Sequence, residues 1–390
     1  VEWRTYNYAL NLKGDAPAQG KMDISVVNIE ENAGQVPVNY VLPPGVTRII
    51  DPGQSQITQL NEQAMSLKVT DLQSGDARAV YKNSGMDMRT YKRLQMFVHA
   101  EKLIDDKTNL RDGDVSVFLR LGSDSKSNYY EYEVPLSLTE PGNYSTYNAQ
   151  DQEAVWPQSN MFDFPLSLFT DLKLERNAKK RMDNSTVTFQ TRYSSYDPDK
   201  NQNKVTIVGN PSLSDVRTMM IGVRNNSNAA KDIVVWVNEM RLTDFDQSGG
   251  WAAKANVNLG LSDIATLNIA GHVETVGFGG IDQSLTERRL DDYYQYNIAT
   301  MVELGRFLPE KVKLKAPLFY SITEQRTSPK YNPLDQDILL KDALDNAGSK
   351  AERDSISDAS IEKSTVESFS LSGVSFDIRS KNPMPYDPAN

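Results

Sequence analysis

Few side chains in this sequence could carry out covalent chemistry. Its 390 residues include no cysteine and only two histidines, His99 and His272. Thiol nucleophiles, disulfides, zinc–thiolate centres and histidine-rich metal sites are therefore excluded. Serines are common, but none occupies a Gly-x-Ser-x-Gly elbow with a matching histidine. Glu131 and Glu133, flanked by Tyr129, Tyr130 and Tyr132, put two carboxylates on one face of a strand. That spacing suits acid–base work on a glycoside, and equally describes a solvated strand face. Asp105, Asp106, Asp112 and Asp114 offer oxygen ligands for calcium, but the EF-hand spacing is missing and the oxygens are too few. Gly277-Phe278-Gly279-Gly280 lacks the lysine and following helix of a phosphate cradle and reads as a hairpin tip. His99 lies inside an alternating strand and reads as a structural histidine. No catalytic, cofactor or metal residue is assigned, and the chain reads as a non-enzyme.

The charge balance points the same way. Lys plus Arg is 42 and Asp plus Glu is 52, so the net charge is 42 − 52 = −10, the wrong sign for neutralising nucleic-acid phosphates. No apolar run approaches the roughly 20 residues of a membrane-spanning helix, a test that strand barrels pass unseen because only alternate residues face lipid. Both ends, Val1-Glu2-Trp3 and Tyr386-Asp387-Pro388-Ala389-Asn390, read as cuts within a longer protein.

Strands are the elements left to position anything. Residues 1–247 read as an all-β, jelly-roll-like sandwich. The expected strands are Asp23–Ile29, Ala64–Thr70, Arg93–Glu101, Asp114–Leu121, Tyr129–Leu138, Thr186–Arg192, Lys204–Val208, Thr218–Arg224 and Ile233–Leu242, with one helix over Leu166–Lys180. Residues 248–390 read as longer antiparallel strands with strict alternation. In Trp251–Leu261 the odd positions are apolar and Lys254, Asn256 and Asn258 are even. After a Ser262-Asp263 turn, Ala265–Thr275 repeats the pattern. Tyr294–Leu304, the turn Gly305–Glu310, Val312–Ile322 and Phe369–Ile378 complete five strands, the last changing phase at Gly373 as a bulge would. One such hairpin also suits a soluble sandwich; five, with aromatics closing the greasy faces and loop lengths alternating short and long, follow the outer-membrane barrel pattern.

The alternation assigns faces. Val257, Leu259, Leu267, Ile269, Ile298, Val302, Leu314 and Leu318 are expected to face lipid, and Lys254, Asn256, Asn258, His272, Glu274 and Lys313 the lumen. Gly249-Gly250-Trp251 reads as a hinge between domain and barrel, the glycines permitting a sharp turn and the tryptophan anchoring at the interface; an ordinary loop ending in a core Trp is the bland alternative. Residues 325–365 read as a long polar loop with a short helix over Ile338–Leu344. Short turns face the periplasm in such barrels, so the long connections and the β domain are expected on the extracellular or upper-lumen side.

Read in order, a series of segments carries a resemblance: Tyr40-Val41-Leu42-Pro43-Pro44-Gly45-Val46, Phe118-Leu119-Arg120-Leu121-Gly122-Ser123-Asp124, Met220-Ile221-Gly222-Val223-Arg224-Asn225, Trp236-Val237-Asn238-Glu239-Met240-Arg241-Leu242, Gly249-Gly250-Trp251-Ala252-Ala253 and Leu304-Gly305-Arg306-Phe307-Leu308-Pro309-Glu310. The set resembles an internal part of the SprA/Sov family, the giant outer-membrane translocons of the type IX secretion system. That resemblance implies a very large single-chain barrel passing folded cargo proteins, with plug and gating partner proteins, outer-membrane lipid around it, and no cofactor. A second function class stands beside it: a carbohydrate-binding or adhesive cell-surface jelly roll anchored by outer-membrane strands, suggested by exposed-looking aromatics at Tyr129, Tyr130, Tyr132 and Trp156.

Overall fold

Alternating apolar residues build two antiparallel sheets in the first part of the chain and one five-stranded sheet, beside two small two-stranded ones, in the second. The computed structural model describes residues 3–6, 20–48, 59–284 and 287–376. Two units result, Val1–Asp246 and Gln247–Asn390.

The first unit runs β1 (Arg4–Tyr6), β2 (Lys21–Asn28), β3 (Gln63–Leu72), β4 (Ala77–Met86), β5 (Tyr91–Glu101), β6 (Val115–Gly122), β7 (Tyr129–Pro135), α1 (Ala149–Val155), β8 (Phe162–Pro165), α2 (Ser167–Lys180), β9 (Tyr193–Tyr196), β10 (Lys204–Val208), β11 (Val216–Asn225) and β12 (Lys231–Phe245). One sheet has the order β1-β4-β11-β6-β7-β10-β9 and the other β2-β3-β12-β5-β8. Neighbours are rarely consecutive in sequence, which is the crossing connectivity of jelly-roll-like sandwiches. The core lies between the sheets: Val117, Leu119 and Leu121 of β6 and Tyr130, Tyr132 and Val134 of β7 meet Leu67 and Val69 of β3 and Val235 of β12. Helix α2 closes one side with Phe169 and Leu172. A second buried cluster on the five-stranded sheet gathers Tyr40, Phe97, Trp156 and Trp236. Trp156 also donates its indole N–H to Val41 O at 2.9 Å. Burying two tryptophans there contributes roughly 4–6 kcal/mol each before entropy.

Sequence and structure part company at several places in this unit, where β1, α1 and β8 stand without a counterpart among the expected elements. Thr186–Arg192 is not a strand; Thr188 and Thr191 bond each other's backbone N–H groups with their hydroxyls, turn chemistry that competes with a ladder. The strand lies just beyond, at β9. Conversely, β4 has weak alternation, yet it pairs with both β1 and β11.

The second unit runs β13 (Ala252–Leu261), β14 (Ala265–Glu274), β15 (Asp291–Glu303), β16 (Leu314–Lys315), β17 (Pro317–Pro329), β18 (Tyr331–Asn332), β19 (Asp335–Leu339), α3 (Leu340–Asp345), α4 (Lys350–Ser360), β20 (Glu362–Leu371) and β21 (Ser375–Phe376). Its main sheet is open, ordered β13-β14-β15-β17-β20. Residues 325–365 are not a long loop: β17 extends to Pro329, a small β18–β19 hairpin and two helices follow, and β20 begins at Glu362. Ser349 caps α4 by accepting the Glu352 N–H at 3.2 Å, while Glu352 accepts the Gly348 N–H at 2.8 Å, a reciprocal arrangement that starts the helix where polarity alone suggested coil. The last strand likewise begins earlier than expected and breaks at Gly373, whose φ of 69° separates β20 from β21; Ile378 lies outside the described residues.

Candidate functional site

The residues that could engage a surrounding medium lie on the open sheet. Opposed residues in an antiparallel pair share a face. The register therefore stacks side chains into rows: Leu259, Leu267, Thr300, Tyr320 and Phe369 form one, and Val257, Ile269, Ile298, Ile322 and Glu367 the next. Further from the Leu261–Ala265 turn come Ala253, Val273, Tyr294, Arg326 and Lys363. Much of this face is open, with Val257 48%, Leu259 46%, Leu261 54% and Phe369 71% exposed. Among the described residues of this unit the buried apolar ones are Ala316, Ile338, Leu340 and Ala343, none of them in the five strands. A soluble sheet covers its greasy face with a second layer; the described residues of this unit supply none.

The apolar area is slanted. Its upper limit is Val273 on β14 and Tyr294 on β15, which are register partners, but Ile322 on β17 and Phe369 on β20, where the same row holds Arg326 and Lys363. From Val273 to Phe369 the limit falls back by six residues, about 20 Å, across three strand spacings, about 14 Å. The slope is about 55°, the same sense of obliquity as the 35–45° tilt of barrel strands and somewhat steeper. The lower limit shifts the same way. On β13 and β14 it lies at Leu261 and Ala265, whereas on the other side apolar residues continue to Leu314 and its partner Phe376.

The opposite face carries Lys254, Asn256, Asn258, Asn268, His272 and Glu274, joined by Gln295 and Asn297. Asn297 donates to Thr323 Oγ1 at 2.7 Å. His272 Nε2 sits 3.0 Å from Glu274 Oε1, and Glu274 Oε2 accepts Arg289 Nη1 at 2.5 Å. Met301, Phe319 and Val366 are apolar exceptions on this face. Seven of the eight residues expected on the greasy face and five of the six expected on the wet one thus occupy opposite faces of one sheet. The others are Leu314, on the separate strand β16, and Lys313, which is no wall residue: it has φ 49° and ends a 3-10 helix over Glu310–Val312. The expected strand Val312–Ile322 is broken because Glu303 folds its carboxylate back to accept the Ala316 N–H at 2.5 Å, and Gly305 lets Leu314 O approach where a Cβ would stand 1.8 Å away.

Neither Gly249 nor Gly250 is among the glycines of positive φ. A Cβ on Gly250 would lie 2.3 Å from Phe278 N and 2.5 Å from Val276 O, whereas Gly249 has open space. Trp251 donates its N–H to Thr275 Oγ1 at 2.8 Å and is 59% exposed, so it is not a core Trp. Gly250 is there for close backbone approach.

In the first unit the expected solvent-facing chemistry is inverted. Tyr129, Tyr130, Tyr132 and Trp156 are all buried, which removes the aromatic platform expected of a glycan binder. Tyr132 stacks on Phe164 at 3.9 Å and donates to Asp197 Oδ2 at 2.6 Å. Glu131 and Glu133 are buried as well. Glu131 accepts Arg120 Nε at 2.6 Å and Arg224 Nη2 at 3.0 Å, and is bonded by Arg192; Glu133 takes Arg224 and accepts the Ser116 hydroxyl at 2.5 Å. Burial alone would raise the Glu131 pKa, but the fields of Arg120, Arg224 and Arg192 outweigh it and hold the carboxyl well below the usual range. An ionised, triply paired carboxylate is no general acid. The sequence showed the carboxylates but not the arginines, which come from separate elements. His99 is structural: its Nδ1 is 2.8 Å from Val155 O and its ring stacks on Trp236 at 4.0 Å. The aspartates are spent on loops, Asp106 on Thr108 and Leu110, Asp112 on Leu138 and Asp114 on Lys231, and no group of three or more metal-ligating side chains occurs among the described residues.

Fold and surface together define an all-β protein in which a sandwich precedes an open antiparallel sheet with one bare apolar face. A family model described as motility related/secretion protein (SprA_N) matches residues 1–344, and the chain belongs to that family. Comparison with curated proteins gives no match.

Proposed function

We propose that the chain is a segment of an outer-membrane β-barrel protein-secretion channel of the type IX kind, with β13, β14, β15, β17 and β20 forming part of the wall. The slanted, uncovered apolar face carries this reading. A sheet packed on another sheet needs no oblique limit to its greasy area, whereas strands tilted across a bilayer need one, because the membrane surfaces cut successive strands at different residues. The polar face, with Lys254, Asn256, Asn258, His272 and Glu274, would line an aqueous lumen wide enough for folded cargo proteins, with plug and gating proteins closing it. The family membership supports secretion or motility as the setting. No catalytic chemistry is assigned to the chain.

The connections support an orientation. At one end of the sheet lie the turn 262–264 and the link 304–316; at the other lie 275–290 and the folded insert 330–361. Longer connections are extracellular in such barrels, so that end, where the chain enters β13, is read as the outer one, and the sandwich as an extracellular or upper-lumen element. Deleting the β13–β14 hairpin from the whole protein in its host should abolish export of folded cargo. Undiminished export by a stably produced deletion would end the channel reading.

A further inference from the structure

The outer face of the larger sandwich sheet holds a cleft of about 290 Å³, near the small end of ligand pockets. It is lined by Ser116, Glu133, Arg192, Lys204, Arg224 and Asn226, with Tyr196 and Gln202 at the rim. Its charges do not balance. Arg120, Arg192 and Arg224 converge on Glu131 and Glu133, leaving one positive charge in excess, and Lys204 adds a second. Lys204 lies directly across the ladder from Glu133, yet no ion pair joins them. The Arg192 Nε atom is buried without a hydrogen-bond partner. Cations are costly to hold together in a partly desolvated cleft unless an anion joins them.

We propose that this cleft binds a dianionic oxyanion group, phosphate or sulfate. The excess of two positive charges matches a dianion and exceeds what one carboxylate would neutralise. The lining supplies suitable donors: the ammonium of Lys204, the guanidinium groups of Arg192 and Arg224, and the side-chain amides of Asn226 and Gln202. Glu133 is already engaged by Arg224 and Ser116, so its repulsion of the ligand is largely offset. The site belongs to the first unit and does not depend on the channel reading.

Calorimetric titration of the full chain in detergent with sodium phosphate, sulfate and acetate, at constant ionic strength, tests it. Saturable phosphate or sulfate binding with a Kd at or below about 1 mM is expected, with acetate binding at least ten-fold more weakly. Lys204→Gln should weaken binding about ten-fold and Lys204→Glu should abolish it; because the Lys204 side chain has no hydrogen-bond or ion-pair partner among the described residues and belongs to an excess of cations, neither variant should lower the thermal unfolding midpoint below the parent's. Absence of saturable binding, acetate binding as tightly as phosphate, or unchanged affinity in Lys204→Glu would overturn the site.

Discussion

Arginine substitutions within a single row of the open sheet separate a tilted membrane wall from a soluble sheet. Ile269, Ile298 and Ile322 occupy one row on one face. In a sandwich, row-mates lie at equal depth, and Arg at Ile269 or Ile322 would cost about the same. In a wall sloped by about 55°, Ile322 stands two strand spacings of about 4.8 Å from Ile269 and therefore about 8 Å nearer the outer surface. Ile269 is midway between Ala265 and Val273, the ends of the apolar run on β14, and so marks the midplane. The apolar band of such barrels is about 25 Å tall, and Arg costs roughly 2–4 kcal/mol at its centre and about 0–1 near its edges. Ile269→Arg should then destabilise by about 2–4 kcal/mol and Ile322→Arg by about half as much. Leu318, four residues back along β17, returns to the level of Ile269, since about 13 Å along a strand so sloped is about 8 Å of height; Leu318→Arg should match Ile269→Arg. Guanidinium unfolding of the whole protein in lipid vesicles reads these differences. Equal losses at Ile269 and Ile322, with a smaller one at Leu318, would refute the tilt.

Three further outcomes are expected. Glu131→Gln leaves three arginines around a neutral group and should cost roughly 3–5 kcal/mol by denaturant unfolding; because the folded Glu131 pKa is depressed, its contribution is complete above the unfolded carboxyl pKa and is lost only as pH falls through the folded value, so the variant's deficit should shrink only in strong acid. Gly250→Ala should destabilise the second unit by about 1–3 kcal/mol through its clash with the 276–278 backbone, while Gly249→Ala should be silent in the same thermal unfolding measurement. In a chain without native cysteine, an impermeant maleimide applied to intact cells should label Ser355→Cys, and Asp263→Cys only after the outer membrane is opened; the reverse pattern would invert the orientation.

The elements most legible in the sequence were those whose alternation reports a single face. β10 matches its expected limits, and the β13 and β14 hairpin is placed to within a residue, because its Ser262-Asp263 turn punctuates an unbroken period of two. What stayed hidden depended on partners distant in sequence. Tyr129, Tyr130 and Tyr132 looked exposed because they alternate with glutamates, but those glutamates are themselves buried by Arg120, Arg192 and Arg224, and β6 is buried along its whole length. Both faces of such a strand are interior, so alternation no longer marks water. The helix α4 announced itself in Ser349-Lys350-Ala351-Glu352, a capping signature that the surrounding polarity obscured. The end of the β15–β17 ladder at Pro317 could not be read at all, since it rests on Glu303 bonding a backbone amide thirteen residues away.

The open order β13-β14-β15-β17-β20 leaves the outer flanks of β13 and β20 without partners among the described residues. In water such flanks are merely sticky; in hydrocarbon each unpaired backbone group costs several kcal/mol. If the sheet is a piece of wall, it cannot enter the bilayer ahead of its neighbours. Biogenesis would then be a matter of timing: these strands must wait, shielded from aggregation, until flanking strands arrive, and insertion and closure become a single event. A chain interrupted before that point would not yield a smaller pore but a substrate for periplasmic chaperones and proteases.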